Sequence, residues 1–321
     1  GHRLEIEFAS HHWPIWGREE AVEYLKKQRD TYKYIHDQTL RLANHGYTKD
    51  EIAEQVHLPD SLSKEFYNRD YYGTVHHNAR AVYVKYLGYF DGNPATLYPL
   101  PPRAAARKYV EFMGGQDAIL EKAQSCFDQG EYRWVAEVLN HVVMTDPDYL
   151  PGRALLADCL EQLGYQSESA PWRNFYLCGA LELRQGLPKG AKFGATSSMA
   201  QAIPLENMFQ TMAVRLNGPK AEGISLHINL KFSDSEETLL SIENAVLHAF
   251  PGRLHDSPDA TLIVTALDFK KMMMGLTDAM TLLGSGALKI EGDLNAMVIL
   301  KDLFDQFERR FPIVTPRKDW Q

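Results

Sequence analysis

Cysteine is scarce in this chain. Three occur in 321 residues, Cys126, Cys159 and Cys178, and no two are spaced as CxxC. That spacing excludes a zinc knot built on thiolates, and the apolar, helical surroundings of each point to buried free thiols rather than a disulfide framework. Long apolar runs are missing too. With no stretch of about 18 apolar residues, no transmembrane helix is expected. Basic blocks are absent: 34 Lys and Arg stand against 42 Asp and Glu, a net charge of -8. A nucleic-acid partner wants a basic face, so that class is set aside. No secretory leader is visible. The opening run Gly1-His2-Arg3-Leu4-Glu5-Ile6-Glu7-Phe8 reads as a loop entering a strand, so the missing leader carries no information about compartment. Neither His-x-His-x-Asp-His nor His-Glu-x-x-His occurs, so a zinc site, which needs three or more protein ligands, cannot be assembled from one motif here.

What the chain does have is a change of texture along its length. Leu4, Ile6 and Phe8 alternate with Glu5 and Glu7, which predicts a strand over residues 4–9 with one buried face. Pro14 and Gly17 break it. A long helix is expected from Arg18 to about Ala43, closed by Asn44-His45-Gly46 with Gly46 as a left-handed cap. Thr48 and Glu51 have capping-box spacing. Short helical turns follow through Val56 and around Ser61 and Ser63, then a polar aromatic loop, Asn68 to Gly73, and a helix over 76–90. Residues 103–186 are helical by period. Gly130 and Gly164 lie 34 residues apart in similar surroundings, the tetratricopeptide repeat length. Two repeats are too few for a free solenoid, so this stretch is expected to pack within a larger helical domain. Residues 186–201, rich in Gly, Ser and Thr, read as a linker. Beyond it the pattern is α+β: a helix over 205–216, strands at 224–230, 239–246, 259–264 and 288–292, and helices over 268–283 and 294–311.

Several residues could carry chemistry. His11 and His12 follow a strand end, where an imidazole can be fixed for metal binding; the alternative is two ordinary loop histidines. Tyr71, Tyr72, His76 and Asn78 would offer hydroxyl, imidazole and amide donors to an anionic substrate, against the alternative of a solvated helix start. His36-Asp37, mid-helix, reads as a buried polar contact. Met272, Met273, Leu276 and Met280 fall in a Met-rich helix that would line a pocket for aliphatic chains, if they are not plain core.

The segment Phe8-Ala9-Ser10-His11-His12-Trp13-Pro14-Ile15-Trp16-Gly17 resembles the end of the catalytic domain of the alkyl sulfatases, hydrolases of the metallo-β-lactamase fold. The resemblance continues through Tyr32 to Asn44, Phe66 to Thr74, Tyr89 to Pro94, Tyr109 to Gly115 and Gly130 to Glu137, and covers residues 4–186 almost without a gap. Residues 203–312 resemble, less specifically, a sterol-carrier-like domain. The resemblance implies a mixed fold. Residues 1–17 would be the last part of a metallo-β-lactamase αββα domain, residues 18–186 an all-helical dimerisation domain with tetratricopeptide-like hairpins, 187–202 a linker, and 203–321 an α+β sterol-carrier-like domain. It implies hydrolysis of long-chain alkyl sulfates such as dodecyl sulfate, two Zn2+ per complete catalytic domain with His11 as one ligand and His12 as the fallback, a homodimer, and catalytic residues upstream of this chain. The competing expectation is a non-enzymatic dimerising module that binds aliphatic chains.

Overall fold

A computed structural model describes residues 4–188, 194–308 and 310–317. They fall into two compact units: residues 4–188 together with 310–317, and residues 194–308.

The first unit begins with two very short antiparallel strands, β1 (Ile6–Glu7) and β2 (Ile15–Trp16), paired with Ile6 opposite Trp16. The strand expected over 4–9 shrinks to two residues, and its apolar face is not buried: Ile6 is 51% and Phe8 74% exposed.

Helix α1 (Arg18–Ala43) follows, with Ala21, Thr31, Ile35, Thr39 and Leu42 on its buried face. This inward face carries Thr31, Ile35 and Thr39 at four-residue spacing, while Leu25 and Tyr32 are exposed. Gly46, at φ 88°, turns the chain beyond it. Helix α2 (Lys49–Gln55) carries the expected capping box, and α3 (Asp60–Ser63) is a single turn. Thr74 caps α4 (Val75–Leu87) through its hydroxyl, which accepts from His77 N at 3.0 Å. Then come α5 (Pro102–Phe112), α6 (Gln116–Asp128), α7 (Tyr132–Thr145), α8 (Leu150–Gln166) and α9 (Ala170–Gln185). Their core is built on Val135, Leu139, Val142, Val143, Ala157 and Cys159. At about 25 cal/mol per Å2 of apolar area, each of the larger side chains contributes roughly 1.5–3 kcal/mol by leaving water.

The two repeat-like glycines serve different ends. Gly130 sits at φ 81° in the turn between α6 and α7. Gly164 lies inside α8 and is buried, and a Cβ there would stand 3.0 Å from Leu177 Cδ2 of α9. The cysteines also differ from expectation: Cys159 is buried and Cys126 half-buried, but Cys178 is exposed. Cys159 Sγ donates to Tyr132 O, and burial pushes the thiol up to about 11. Residues 310–317 return to this unit. Val314 fills the notch left by Gly179, and the Glu182 carboxylate accepts from Ile313 N at 3.0 Å and Val314 N at 3.1 Å.

The second unit starts with α10 (Ser197–Ala202), inside the stretch read as linker, followed by α11 (Leu205–Arg215) and α12 (Gly218–Ala221). Lys270 Nζ explains why α10 folds here. Largely buried, it donates to the carbonyls of Gln201 and Ile203 at the end of that helix. The rest of the stretch, residues 189–193, lies outside the described residues.

The sheet has five strands, not four, in the order β5-β4-β3-β6-β7. They are β3 (Leu226–Phe232), β4 (Thr238–Glu243), β5 (Val246–Pro251), β6 (Ala260–Val264) and β7 (Leu288–Gly292). Only β3 and β6 run parallel. The expected strand at 239–246 is really one arm of a hairpin, turned by Asn244 at φ 50° and Ala245 at φ 60°. The helix expected over 268–283 is broken as well: α13 (Ala266–Met273) stops before Gly275, at φ 71°, and Asp278 caps α14 (Ala279–Gly284). Helix α15 (Leu294–Asp302) ends well before Phe311. Leu226, Ile228 and Leu230 face a core shared with Met208, Phe209, Leu240, Leu262 and Phe269. Among the described residues no helix is long and apolar enough to cross a membrane.

Candidate functional site

The first unit carries a cavity of about 600 Å3 whose walls come from three segments: Ala9 to Trp13, the inward side of α1, and residues 66–78. The first segment is the loop between β1 and β2. The third is a short 3-10 turn, Phe66–Asn68, and the loop that leads into α4.

These segments are held in place by polar contacts. Gln28 of α1 donates through Nε2 to Asn68 Oδ1 at 2.8 Å and to Tyr67 O at 3.2 Å. The buried Asn68 donates in turn to Leu62 O at 3.0 Å. Asp70 Oδ1 accepts from Val75 N at 3.0 Å, which closes the loop on itself. Burial holds the Asp70 carboxyl above the usual carboxylate range, with Glu168 adding to the effect against the Val75 hydrogen bond. The Tyr67 hydroxyl is pushed up to about 12, by burial first and by Glu65 next.

The two histidines differ. His11 is exposed and stacks on Tyr72 with ring centroids 4.5 Å apart. His12 has φ 110°, a backbone conformation that costs a non-glycine residue on the order of 1–3 kcal/mol. Its ring meets Phe66 edge-on at 4.9 Å. Both of its ring nitrogens are buried with no hydrogen-bond partner among the described residues.

Of the residues singled out from sequence, His11, His12, Tyr71, Tyr72 and Asn78 line this cavity together. His76 does not. It turns toward Glu54, Nε2 to Oε1 at 3.2 Å, and sits edge-on to Trp172. One step along a helix rotates a side chain by about 100°, so His76 and Asn78 were never able to share a wall with equal ease. His36 pairs with Asp37 and with the Tyr86 hydroxyl, at 2.9 and 3.0 Å, as a partly exposed polar contact.

Arg69 was missed from sequence. It is the one Arg or Lys among the residues lining the cavity. Its guanidinium pairs with Glu168 and lies over the Tyr71 ring at 5.4 Å. The signal was present in Asn68-Arg69-Asp70-Tyr71-Tyr72, a single cation beside two aromatics. Tyr24, Tyr32, Phe66 and Trp13 supply the apolar remainder of the wall. The arrangement offers one fixed cation, imidazole and amide donors, and aromatic surface: a place for an anionic group attached to an apolar chain.

In the second unit, Met272 and Met273 pack against the core, whereas Leu276 is 37% and Met280 76% exposed. None of the four lines the groove found in this unit. A shallow groove of about 410 Å3 in this unit is lined instead by Asn207, Gln210, Thr211, Val214, Arg215 and Phe307.

Comparison with known proteins accounts for both units. The family "Alkyl sulfatase dimerisation" matches residues 48–186, and "Alkyl sulfatase C-terminal" matches residues 194–316. A linear primary-alkylsulfatase of Pseudomonas sp. is 46% identical over 318 residues, which is 98% of this chain and 47% of that protein. The alkyl/aryl-sulfatase BDS1 of Saccharomyces cerevisiae is 47% identical over 317 residues, 98% of this chain and 49% of that protein. The solved structure of the stereoselective inverting sec-alkylsulfatase Pisa1 from Pseudomonas sp. superimposes with a TM-score of 0.93 at 39% identity, covering 98% of this chain and 50% of that one. The chain thus spans about half the length of the curated relatives it matches. Both family matches, and relatives of 46–47% identity along almost the whole sequence, show that this chain belongs to the alkyl sulfatase family and carries its dimerisation and C-terminal regions.

Proposed function

We propose that the protein carrying this chain hydrolyses alkyl sulfate esters, dodecyl sulfate among them, to alcohol and inorganic sulfate, and that the cavity in the first unit is part of its substrate site. The observation that carries this is the meeting of Arg69, His11 and Asn78 with an aromatic wall in one space. A sulfate monoester is a single-charged tetrahedral anion on an aliphatic tail. A guanidinium recognises such oxyanions by directed N–H donors. Aromatic surface takes the first methylenes of the tail, each worth about 0.8 kcal/mol when buried.

Zinc belongs to the same proposal, with His11, and His12 as the second candidate, supplying one ligand. The unpartnered ring nitrogens of His12 support an imidazole kept for coordination. Among the described residues no group of three His, Cys, Asp or Glu side chains is placed to hold a metal ion. One imidazole does not make a zinc site, so the chemistry derived for this chain is recognition and orientation of the ester, not the bond-breaking step. The proposal extends to a homodimer joined through the helical unit and to aliphatic-chain binding by the α+β unit in a sterol-carrier-like manner.

Sulfate release from dodecyl sulfate by the full-length protein, with zinc content measured on the same preparation, tests the assignment. Arg69→Ala is expected to raise KM about tenfold or more, as loss of a charged hydrogen-bond donor does. Sulfate release with wild-type KM in that variant refutes the role of the cavity. No sulfate release from any alkyl sulfate by the zinc-loaded full-length protein leaves the non-enzymatic chain-binding module in its place.

A further inference from the structure

The loop that brings Arg69, Tyr71 and Tyr72 to the cavity is gripped from far along the chain. Ser169, the residue before α9, is 2% exposed. Its hydroxyl donates to Tyr72 O at 2.7 Å, across 97 residues of sequence, and accepts from Trp172 N at 3.3 Å. Ala170 N donates to Tyr71 O at 2.9 Å. The Glu168 carboxylate pairs with the Arg69 guanidinium. Trp172 Nε1 donates to His77 Nδ1 at 3.2 Å.

The sequence Ser169-Ala170-Pro171-Trp172 makes this grip economical. The first N–H groups of a helix have no partner within it. Pro171 has no N–H, Trp172 N is satisfied by the Ser169 hydroxyl, and Ala170 N is left for the loop. The helix start is therefore fully satisfied only when Tyr71 and Tyr72 stand where they do. The reverse also holds, since without Ser169 the Tyr72 carbonyl loses the donor given to it by α9.

We infer that the turn Glu168–Ser169–Ala170 is a positioning element for the anion-binding wall. Ser169 fixes the backbone that carries Tyr71 and Tyr72, and Glu168 fixes the Arg69 guanidinium. Neither residue lines the cavity, so each acts through the loop. The inference rests on the cavity being part of the sulfate-ester site. Arg69 is long and rich in rotamers, and its side chain is about half exposed. Glu168 holds one edge of the guanidinium and removes that freedom before substrate arrives.

The test uses the full-length protein and three variants: Ser169→Ala, Glu168→Gln and, as a control, Thr48→Ala. The last removes the capping hydroxyl of α2, whose hydrogen bonds run to Glu51 of the same helix and not to residues 69–74. KM for dodecyl sulfate and inhibition by inorganic sulfate are measured, with hydrogen exchange of residues 69–74 alongside. Ser169→Ala and Glu168→Gln are expected to weaken both substrate and sulfate binding about three- to tenfold, the scale of one lost hydrogen bond. Ser169→Ala is also expected to speed exchange in the loop. Thr48→Ala lowers the melting temperature and changes neither. The inference is overturned if Ser169→Ala loses stability as Thr48→Ala does but keeps KM, sulfate inhibition and loop exchange at wild-type values. Should Ser169→Ala fail to fold, Glu168→Gln decides alone, and unchanged sulfate inhibition overturns the inference. A wild-type protein that releases no sulfate refutes the functional proposal, while loop exchange still reports on the grip.

Discussion

Gly130 and Gly164 look equivalent in sequence, lose stability on substitution for different reasons, and are expected to rank Ala and Asn in opposite orders. At Gly130 a Cβ would meet nothing within 4 Å, so the cost of Gly130→Ala is conformational. At φ 81° the left-handed region costs an L-residue about 1–2 kcal/mol. At Gly164 the backbone is helical, and Ala would bring about 1 kcal/mol of propensity. Its Cβ, however, would lie 3.0 Å from Leu177 Cδ2, 3.1 Å from Leu177 Cγ and 3.4 Å from Tyr176 Cβ. Overpacking of that kind costs roughly 1–3 kcal/mol. Leu177 is only half-buried and can shift in part. The net loss for Gly164→Ala is therefore about 1 kcal/mol, or roughly 2–4 °C for a unit of this size. Asparagine separates the two causes. It tolerates the left-handed region, so Gly130→Asn should be milder than Gly130→Ala. It is larger and a poorer helix former, so Gly164→Asn should be harsher than Gly164→Ala. Thermal and urea unfolding followed by helical circular dichroism reads all four variants. The same order of Ala and Asn at both positions, or a stabilising Gly164→Ala, refutes the reasoning.

Asp70→Asn keeps the acceptor for Val75 N and removes a carboxyl whose pKa the fold raises. A raised carboxyl contributes stability below its unfolded pKa and loses it as pH rises through the folded value. The variant should therefore melt like wild type near pH 3 and higher than wild type near pH 7, relative to an ordinary Asp value of about 3.9; a pH-independent difference contradicts this. The helical unit exposes Tyr98 at 96% and Phe112 at 92%. Sedimentation of this chain at micromolar concentration should show a dimer, weakened by Tyr98→Glu or Phe112→Glu; a monomer at every concentration tested removes the homodimer. Met280, at 76% exposure, is offered as part of an aliphatic-chain surface. Fluorescent fatty-chain probes should bind this chain more tightly as they lengthen, with Met280→Lys weakening them; a flat response to chain length makes the methionines packing residues alone.

How much was legible in the sequence depended on whether the signal was local. The capping box at Thr48 and Glu51, the cap at Gly46 and the length of α1 each rest on contacts within a few residues, and they stand as expected. The hairpin between β4 and β5 was missed because an alanine, Ala245, occupies a left-handed position that Asn or Gly would have announced. The break after α13 hid among methionines, which continue a helical pattern through Met274 although Gly275 ends it. At the site, the aromatic loop and the histidine pair could be seen together, but their convergence with Gln28 of α1 is a tertiary fact. The direction of His76 on its helix has no local signal, since its partner Glu54 lies 22 residues away. Arg69 was passed over as part of a polar run, although an anionic substrate calls for such a cation.

The return of residues 310–317 to the helical unit has a consequence for how this protein can be divided. Arg310 donates to the carbonyl of Pro188, so its side chain links the residue where the chain leaves the helical unit to the residue where it re-enters. The intervening α+β unit is, in order along the chain, an insertion into one helical body. Excising it and bridging 188 to 310 with a few flexible residues closes a short loop, which is entropically cheap. Cutting the chain after Pro188 is not the same operation. It strips Val314 from the notch at Gly179 and leaves the Glu182 carboxylate without the two amides it holds. The smallest intact helical module is therefore discontinuous in sequence, and any fragment taken as one uninterrupted stretch omits a piece of its own wall.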